Sequence, residues 1–145
     1  MINFYRTKEL ITSDDLKEFE QKLNGLRLPE DFKQFMLIYN GGSTRELYSI
    51  KIDDHEDEDD IPFDGIDPLR DNTQYGLSLE DSLENRVGVL PETDIYIGSV
   101  LGGSLCMSLG AKHGSIYAFY ADEERIDIAS SFTEFLDRLF LSKDQ

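Results

Sequence analysis

Along the N-terminal part of the chain, apolar residues recur at the spacing of one helix face. Leu16, Phe19 and Leu23 stand three and four positions apart, which puts their side chains on one side of an α-helix. They follow Thr12-Ser13-Asp14-Asp15, where a hydroxyl can accept orphan amide hydrogens and acidic residues suit the positive helix end. Gly25 supplies a stop. A second helix starts at Pro29, whose fixed φ suits a first helical position. Leu28, Phe32, Phe35, Met36 and Tyr39 make its apolar face, and Asn40-Gly41-Gly42 closes it. The short link over residues 25–28 predicts two helices packed at an angle.

The period then changes. Residues 46–52 alternate, with Tyr48, Ile50 and Ile52 on one side and Leu47, Ser49 and Lys51 on the other, as in a half-buried strand. Residues 53–76 hold an acidic run, Pro62, Pro68, Gly65 and Gly76, and predict a long irregular connection. Ser78 caps a short helix over residues 78–86 with Leu79 and Leu83 inward. From Val87 onward the pattern becomes short strands. Ile95 and Ile97 precede Gly98, while Leu105-Cys106-Met107-Ser108-Leu109 and residues 115–120 flank the turn Gly110-Ala111-Lys112-His113-Gly114. That arrangement predicts an antiparallel hairpin. Ser131-Phe132-Thr133-Glu134 has the capping-box pattern and opens a last helix with Phe132, Phe135, Leu136, Leu139 and Phe140 inward. Helices at both ends and strands between them predict an α+β fold. Residues 1–145 form a single domain, an antiparallel sheet packed by the N-terminal and C-terminal helices.

Composition fits that size. A chain of 145 residues with 39% apolar content, nine Phe and seven Tyr can fill the core of one domain. Charge adds more. The net charge is −16, and residues 53–67 alone carry nine Asp or Glu and no Lys or Arg. Such a balance repels phosphate backbones, so direct binding to nucleic acid or an anionic membrane is disfavoured, and basic partners and cations are favoured. The single cysteine, Cys106, allows no intrachain disulfide, and no stretch approaches 18 consecutive apolar residues. A soluble, cytoplasmic protein is expected.

The candidate chemistry is sparse. Cys106 and His113 invite a nucleophile–base pairing, but a turn centred on Lys112 puts Cys106 opposite Ala118, about 13 Å from the turn. A buried strand thiol and an exposed turn histidine are expected. In the acidic run DDHEDEDD, residues 53–60, a calcium loop would need Gly at the sixth position, and Glu58 stands there. His55 has no convergent set of partners for zinc. Gly41-Gly42 and Gly102-Gly103 match no phosphate-loop pattern. The expectation is no catalytic residue, no cofactor and no metal site. The acidic run is either a solvated loop, or a loop ordered by calcium, or a docking surface for a basic protein. Its residues Asp53, Asp54, Glu56, Asp57, Glu58, Asp59 and Asp60, extended by the second cluster Asp122, Glu123 and Glu124, are the candidate partner-binding residues.

The stretch LPEDFKQFMLIYNGG, residues 28–42, resembles the signature of the SMI1/KNR4 (SUKH) superfamily, in which Leu-Pro opens an aromatic-rich helix ending at Asn-Gly. Phe19-Glu20 upstream, Ile97-Gly98, the Gly102-Gly103 turn, the strands LCMSL and SIYAFY, Asp122-Glu123 and IASSFTEFLDRL fit as well. The chain departs in having no Trp and in carrying Ser104 where an acid often follows the glycine turn, so no binding residue is carried over. The resemblance implies an α+β domain without enzymatic activity. For bacterial members it implies an immunity protein that neutralises a cognate toxin, frequently a nuclease with a basic surface. The alternative is a scaffold or regulatory module with an endogenous partner.

Overall fold

A computed structural model, which describes residues 4–5, 8–52, 60–70 and 78–142, has both N-terminal helices where the apolar period puts them. Helix α1 (Ser13–Gln21) opens on a complete capping box. The Thr12 hydroxyl accepts from the Asp15 amide, and the Asp15 carboxylate accepts from the Thr12 amide at 2.8 Å. Helix α2 (Glu30–Tyr39) begins after Pro29 and ends at Asn40, whose φ of 50° and ψ of 53° are left-handed. The Glu20 carboxylate joins the two helices by accepting from the Leu28 amide at 2.8 Å, with Lys33 Nζ at 3.3 Å.

Strands β1 (Phe4–Tyr5) and β2 (Ser43–Thr44) pair as a small separate ribbon. The main sheet contains β3 (Tyr48–Ile50), β4 (Ile61–Ile66), β5 (Asp94–Val100), β6 (Gly103–Ser108), β7 (Ile116–Tyr120), β8 (Arg125–Ala129) and β9 (Leu139–Leu141). Its order is β8-β7-β6-β5-β4-β3-β9, antiparallel throughout. Helices α3 (Leu79–Asn85) and α4 (Phe132–Asp137) complete the fold. The architecture is α+β.

One sheet face carries the core. Phe32, Phe35 and Met36 of α2, Phe19 of α1 and Phe132 and Phe135 of α4 pack with Ile50, Ile95, Leu105, Met107, Ile116 and Ala118. Phe32 and Phe132 meet edge to face at 5.0 Å, and Phe63 meets Phe135 at 5.7 Å. Such aromatic pairs contribute roughly 0.5–1.5 kcal/mol each beyond the area they bury. Asp31 ties the starts of α2 and α4 by accepting from the Thr133 amide and hydroxyl, both at 2.9 Å.

Several details differ from the sequence pattern. The irregular connection expected over residues 53–76 contains β4. Ile61, Phe63 and Ile66 are buried and Pro62 and Asp64 exposed, but a register shift between Phe63 and Gly65 breaks the alternation. The last helix ends at Asp137, not beyond Phe140. Leu139 and Phe140 belong to β9, where Phe140 pairs with Ser49. Ser131 does cap α4, accepting from the Glu134 amide at 3.0 Å. The Glu134 carboxylate reaches past it, to the amide and hydroxyl of Ser130. In the β6–β7 hairpin Cys106 faces Tyr117, and Ala118 faces Leu105, one residue away from the register expected for a turn centred on Lys112.

Candidate partner-docking site

The second face of the sheet is polar and aromatic. Asp94, Tyr96, Cys106, Tyr117 and Phe119 share it through the pairs Tyr96–Cys106 and Cys106–Tyr117. Asp94 is 2% exposed, and its carboxylate accepts from the Tyr117 hydroxyl and from Thr93 Oγ1. The Arg125 guanidinium lies 3.7 Å above the Tyr117 ring and donates through Nε to Asp127 at 2.9 Å. Arg125 is therefore held from two sides, with part of its surface open to a partner. Burial, then the hydrogen bond to Asp94, raises the Tyr117 hydroxyl above the usual tyrosine range.

Cys106 sits beneath this cluster. Burial, then the Asp94 charge, pushes its thiol up to about 12, so the nucleophilic thiolate is scarce at neutral pH. His113 Nε2 is engaged elsewhere, 2.7 Å from the Arg27 carbonyl oxygen. We expect iodoacetamide at pH 8 to leave the native protein unmodified and to label Cys106 fully once denaturant is added. Rapid native labelling would show the thiol to be accessible.

Along β8, at the edge of the sheet, runs a groove of about 790 Å³. Ile126, Ile128 and Ile52 give it apolar lining, and Glu134 and Arg138 of the α4 segment form a wall. Glu134 and Arg138 are paired at 2.8 Å. Hydrogen bonds from Ser130, then from Arg138, hold the Glu134 carboxyl down at about 2. Lys112 lies at one part of the lining and Glu124 at another.

Asp122, Glu123 and Glu124 form the β7–β8 turn and are all exposed. The turn is fixed: Asp122 accepts from the Glu124 amide at 3.0 Å, Tyr120 N–H donates to the Glu124 carbonyl at 3.0 Å, and Glu123 takes a left-handed φ of 68°. Asp60 directly precedes β4. Asp53, Asp54, Glu56, Asp57, Glu58 and Asp59 lie outside the described residues. Strand register brings the two ends of the prediction to the same end of the sheet. Phe63 pairs with Val100, Val100 with Gly103, and Gly103 with Tyr120. The start of β4 and the 122–124 turn are thus about three strand spacings apart, roughly 14 Å along the sheet. Ile52, the last described residue before the acidic run, lines the β8 groove. The groove, the open edge and the Arg125–Tyr117 stack are features that sequence reasoning missed. The alternation in Arg125-Ile126-Asp127-Ile128 was the available signal.

The sequence matches the SMI1 / KNR4 family (SUKH-1) over residues 10–138. The chain belongs to the SMI1/KNR4 family. It is also similar to a Bacillus subtilis (strain 168) protein named "Uncharacterized protein YnaB". The two are 29% identical over 142 residues, covering 93% of this chain and 80% of that one. Family membership makes sense of the Asn-Gly-Gly signature in SMI1/KNR4 terms. Asn40 is 4% exposed. Its side chain accepts from the Leu69 amide at 2.9 Å and donates to the Glu9 carbonyl at 2.8 Å. The signature fastens the end of α2 to two distant backbone segments, so it is a structural lock. Protein partners are the general expectation for this family. Among the described residues no helix is long and apolar enough to cross a membrane.

Proposed function

We propose that this SMI1/KNR4 protein is a cytoplasmic immunity protein that neutralises a cognate toxin by stoichiometric binding, without catalysis. The observation that carries this reading is the position of the acidic 122–124 turn beside the β8 groove, in a chain of net charge −16. A nuclease toxin needs Lys and Arg to hold its nucleic acid, and an acidic inhibitor is attracted to that surface. Steering of this kind raises association rates toward about 10⁸–10⁹ M⁻¹s⁻¹ at low salt.

The test co-expresses the chain with the toxin domain encoded beside its gene. Growth should be rescued and a one-to-one complex recovered. Replacing Asp122 with Asn and Glu123 and Glu124 with Gln should slow association about tenfold at low salt and little at high salt. Replacing Asp57, Glu58, Asp59 and Asp60 with Asn or Ser should do the same. An unchanged rate and salt slope in both variants would remove the electrostatic part of the proposal. The absence of any neighbouring toxin gene, with an endogenous protein bound in its place, would favour the scaffold reading.

A further inference from the structure

The sheet has two edges, and they are not alike. Strand β9 has three residues and pairs with β3. Strand β8 has five residues, pairs with β7, and among the described residues has no neighbour on its other side. Its register with β7 is Phe119–Arg125, Ala118–Ile126 and Tyr117–Asp127, continuing from the bond that Tyr120 N–H gives the Glu124 carbonyl. Antiparallel pairs alternate between hydrogen-bonded and non-bonded. The main-chain groups of Glu124 and Ile126 therefore turn toward β7. The N–H and C=O groups of Arg125 and Asp127 turn toward the open side.

An exposed edge is ordinarily blunted by charged side chains, proline or a covering segment. Here both charges on β8 reach the groove rim but are tied down on the outer face, where Arg125 stacks on Tyr117 and pairs with Asp127. The open side itself borders the groove lined by Ile126, Ile128 and Ile52. The groove is also polarised. The acidic turn of Asp122, Glu123 and Glu124 stands at the start of β8, and Lys112 lines the groove as well.

We propose that a protein partner docks by adding an extended segment to the open edge of β8, apolar at alternate positions and carrying Lys or Arg at the end that lies over residues 122–124. Main-chain bonds to Arg125 and Asp127 supply the affinity, and the isoleucines and acidic turn select the sequence. This rests on the partner-binding reading above and specifies how the partner is held.

The test needs no knowledge of the toxin. A capped peptide of about eight residues, alternating Val and Thr followed by a pair of lysines so that antiparallel addition sets them over residues 122–124, is titrated into the ¹⁵N-labelled full chain. Binding tighter than about 1 mM is expected, with shifts and slowed hydrogen exchange at the Arg125 and Asp127 amides. Asp127→Pro removes an edge donor that β7 does not use and should weaken binding about tenfold or more; Asp127→Asn keeps the donor and should stay within about threefold. The same peptide N-methylated at alternate amides is applied to the unaltered protein, so that a misfolded proline variant does not decide the matter. Its failure to bind is expected. No shift up to about 1 mM, or equal binding of the N-methylated peptide, overturns edge docking. A chain that rescues growth yet binds no peptide keeps the immunity reading and loses this one. A chain that binds the peptide but rescues no growth does the opposite.

Discussion

Gly41→Ala is expected to lower folding stability by about 3–5 kcal/mol, the sum of backbone strain and a main-chain overlap. Gly41 has φ +80°, and an added Cβ would lie 2.7 Å from Asp67 C, Asp67 O and Ile66 O. All three are backbone atoms of the segment that leaves β4, so no side chain can rotate away. That segment is also held by the exchange of bonds between Gly42 and Ile66, at 2.8 and 2.9 Å, and by the Asn40 bond to Leu69. Opening space for one methyl group would strain all of them. Gly25→Ala is the control. Its φ of +91° is similar, but a Cβ there meets nothing within 4 Å, so only the conformational cost of about 1–2 kcal/mol remains. Urea midpoints of the two variants separate the terms. Equal losses would mean that the close approach of α2 to β4 is unimportant.

Legibility of this fold in its sequence follows the range of the interactions. Helices α1 and α2 were readable because their signals are local: Thr12 with Asp15, Pro29, and apolar residues at the helical period. Strand β4 was hidden because Pro62 and Gly65 look like loop residues. Pro62 stands at the second position of β4, opposite Leu101 just past the end of β5, where a missing N–H costs little, and the shift at Phe63 and Gly65 breaks the alternation that marks a strand. Strand β9 reads in sequence as more of the last helix because Leu139 and Phe140 continue the period of Phe135 and Leu136. Its true partner, Tyr48–Ile50, lies far back in the chain, and local pattern carries no information about it. A turn centred on Lys112 predicts a β6–β7 register one residue away from the observed one, in which Met107 pairs with Ile116.

The candidate site shows the same division. That Asp122, Glu123 and Glu124 are exposed acids could be read from their run in the sequence. That they share one end of the sheet with Asp60 depends on pairings between four strands, which no short-range pattern contains. The groove is further from the sequence still. It exists because the sheet curls, so that Ile52, beyond β3, lines the same hollow as Ile126 and Ile128 of β8, although four strands stand between them in the sheet order.

Asp67 gives the second large effect, and its sign is opposite to that of an ordinary salt-bridged carboxylate. Burial, then the nearby Asp64 charge, raises its carboxyl from 3.8 to about 6. The native state therefore holds this proton more tightly than the unfolded chain does. The resulting stabilisation is fully present below about pH 3.8 and is lost as the pH rises through about 6. At 1.36 kcal/mol per pH unit, the loss across that window is about 3 kcal/mol, reduced to about 2 by the solvent that still reaches the group. Asp67→Asn keeps the shape and removes the charge. It should leave stability near pH 4 almost unchanged and raise the melting temperature near pH 7.5 by roughly 4–8 °C. The backbone bond from Asp67 N–H to the Ile97 carbonyl at 2.8 Å is retained in the variant, so the gain reports the carboxylate alone. A variant that is less stable than the unaltered protein at pH 7.5 would show that the Asp67 charge is compensated in the native state. A half-buried charge next to the Gly41 contact also means that the junction between α2 and β4 is least stable above pH 6, where the repulsion between Asp64 and Asp67 is complete. The two effects are coupled by geometry. Because Gly41 faces the Asp67 backbone, Asp67→Asn should recover part of the loss caused by Gly41→Ala at pH 7.5 and none of it at pH 4.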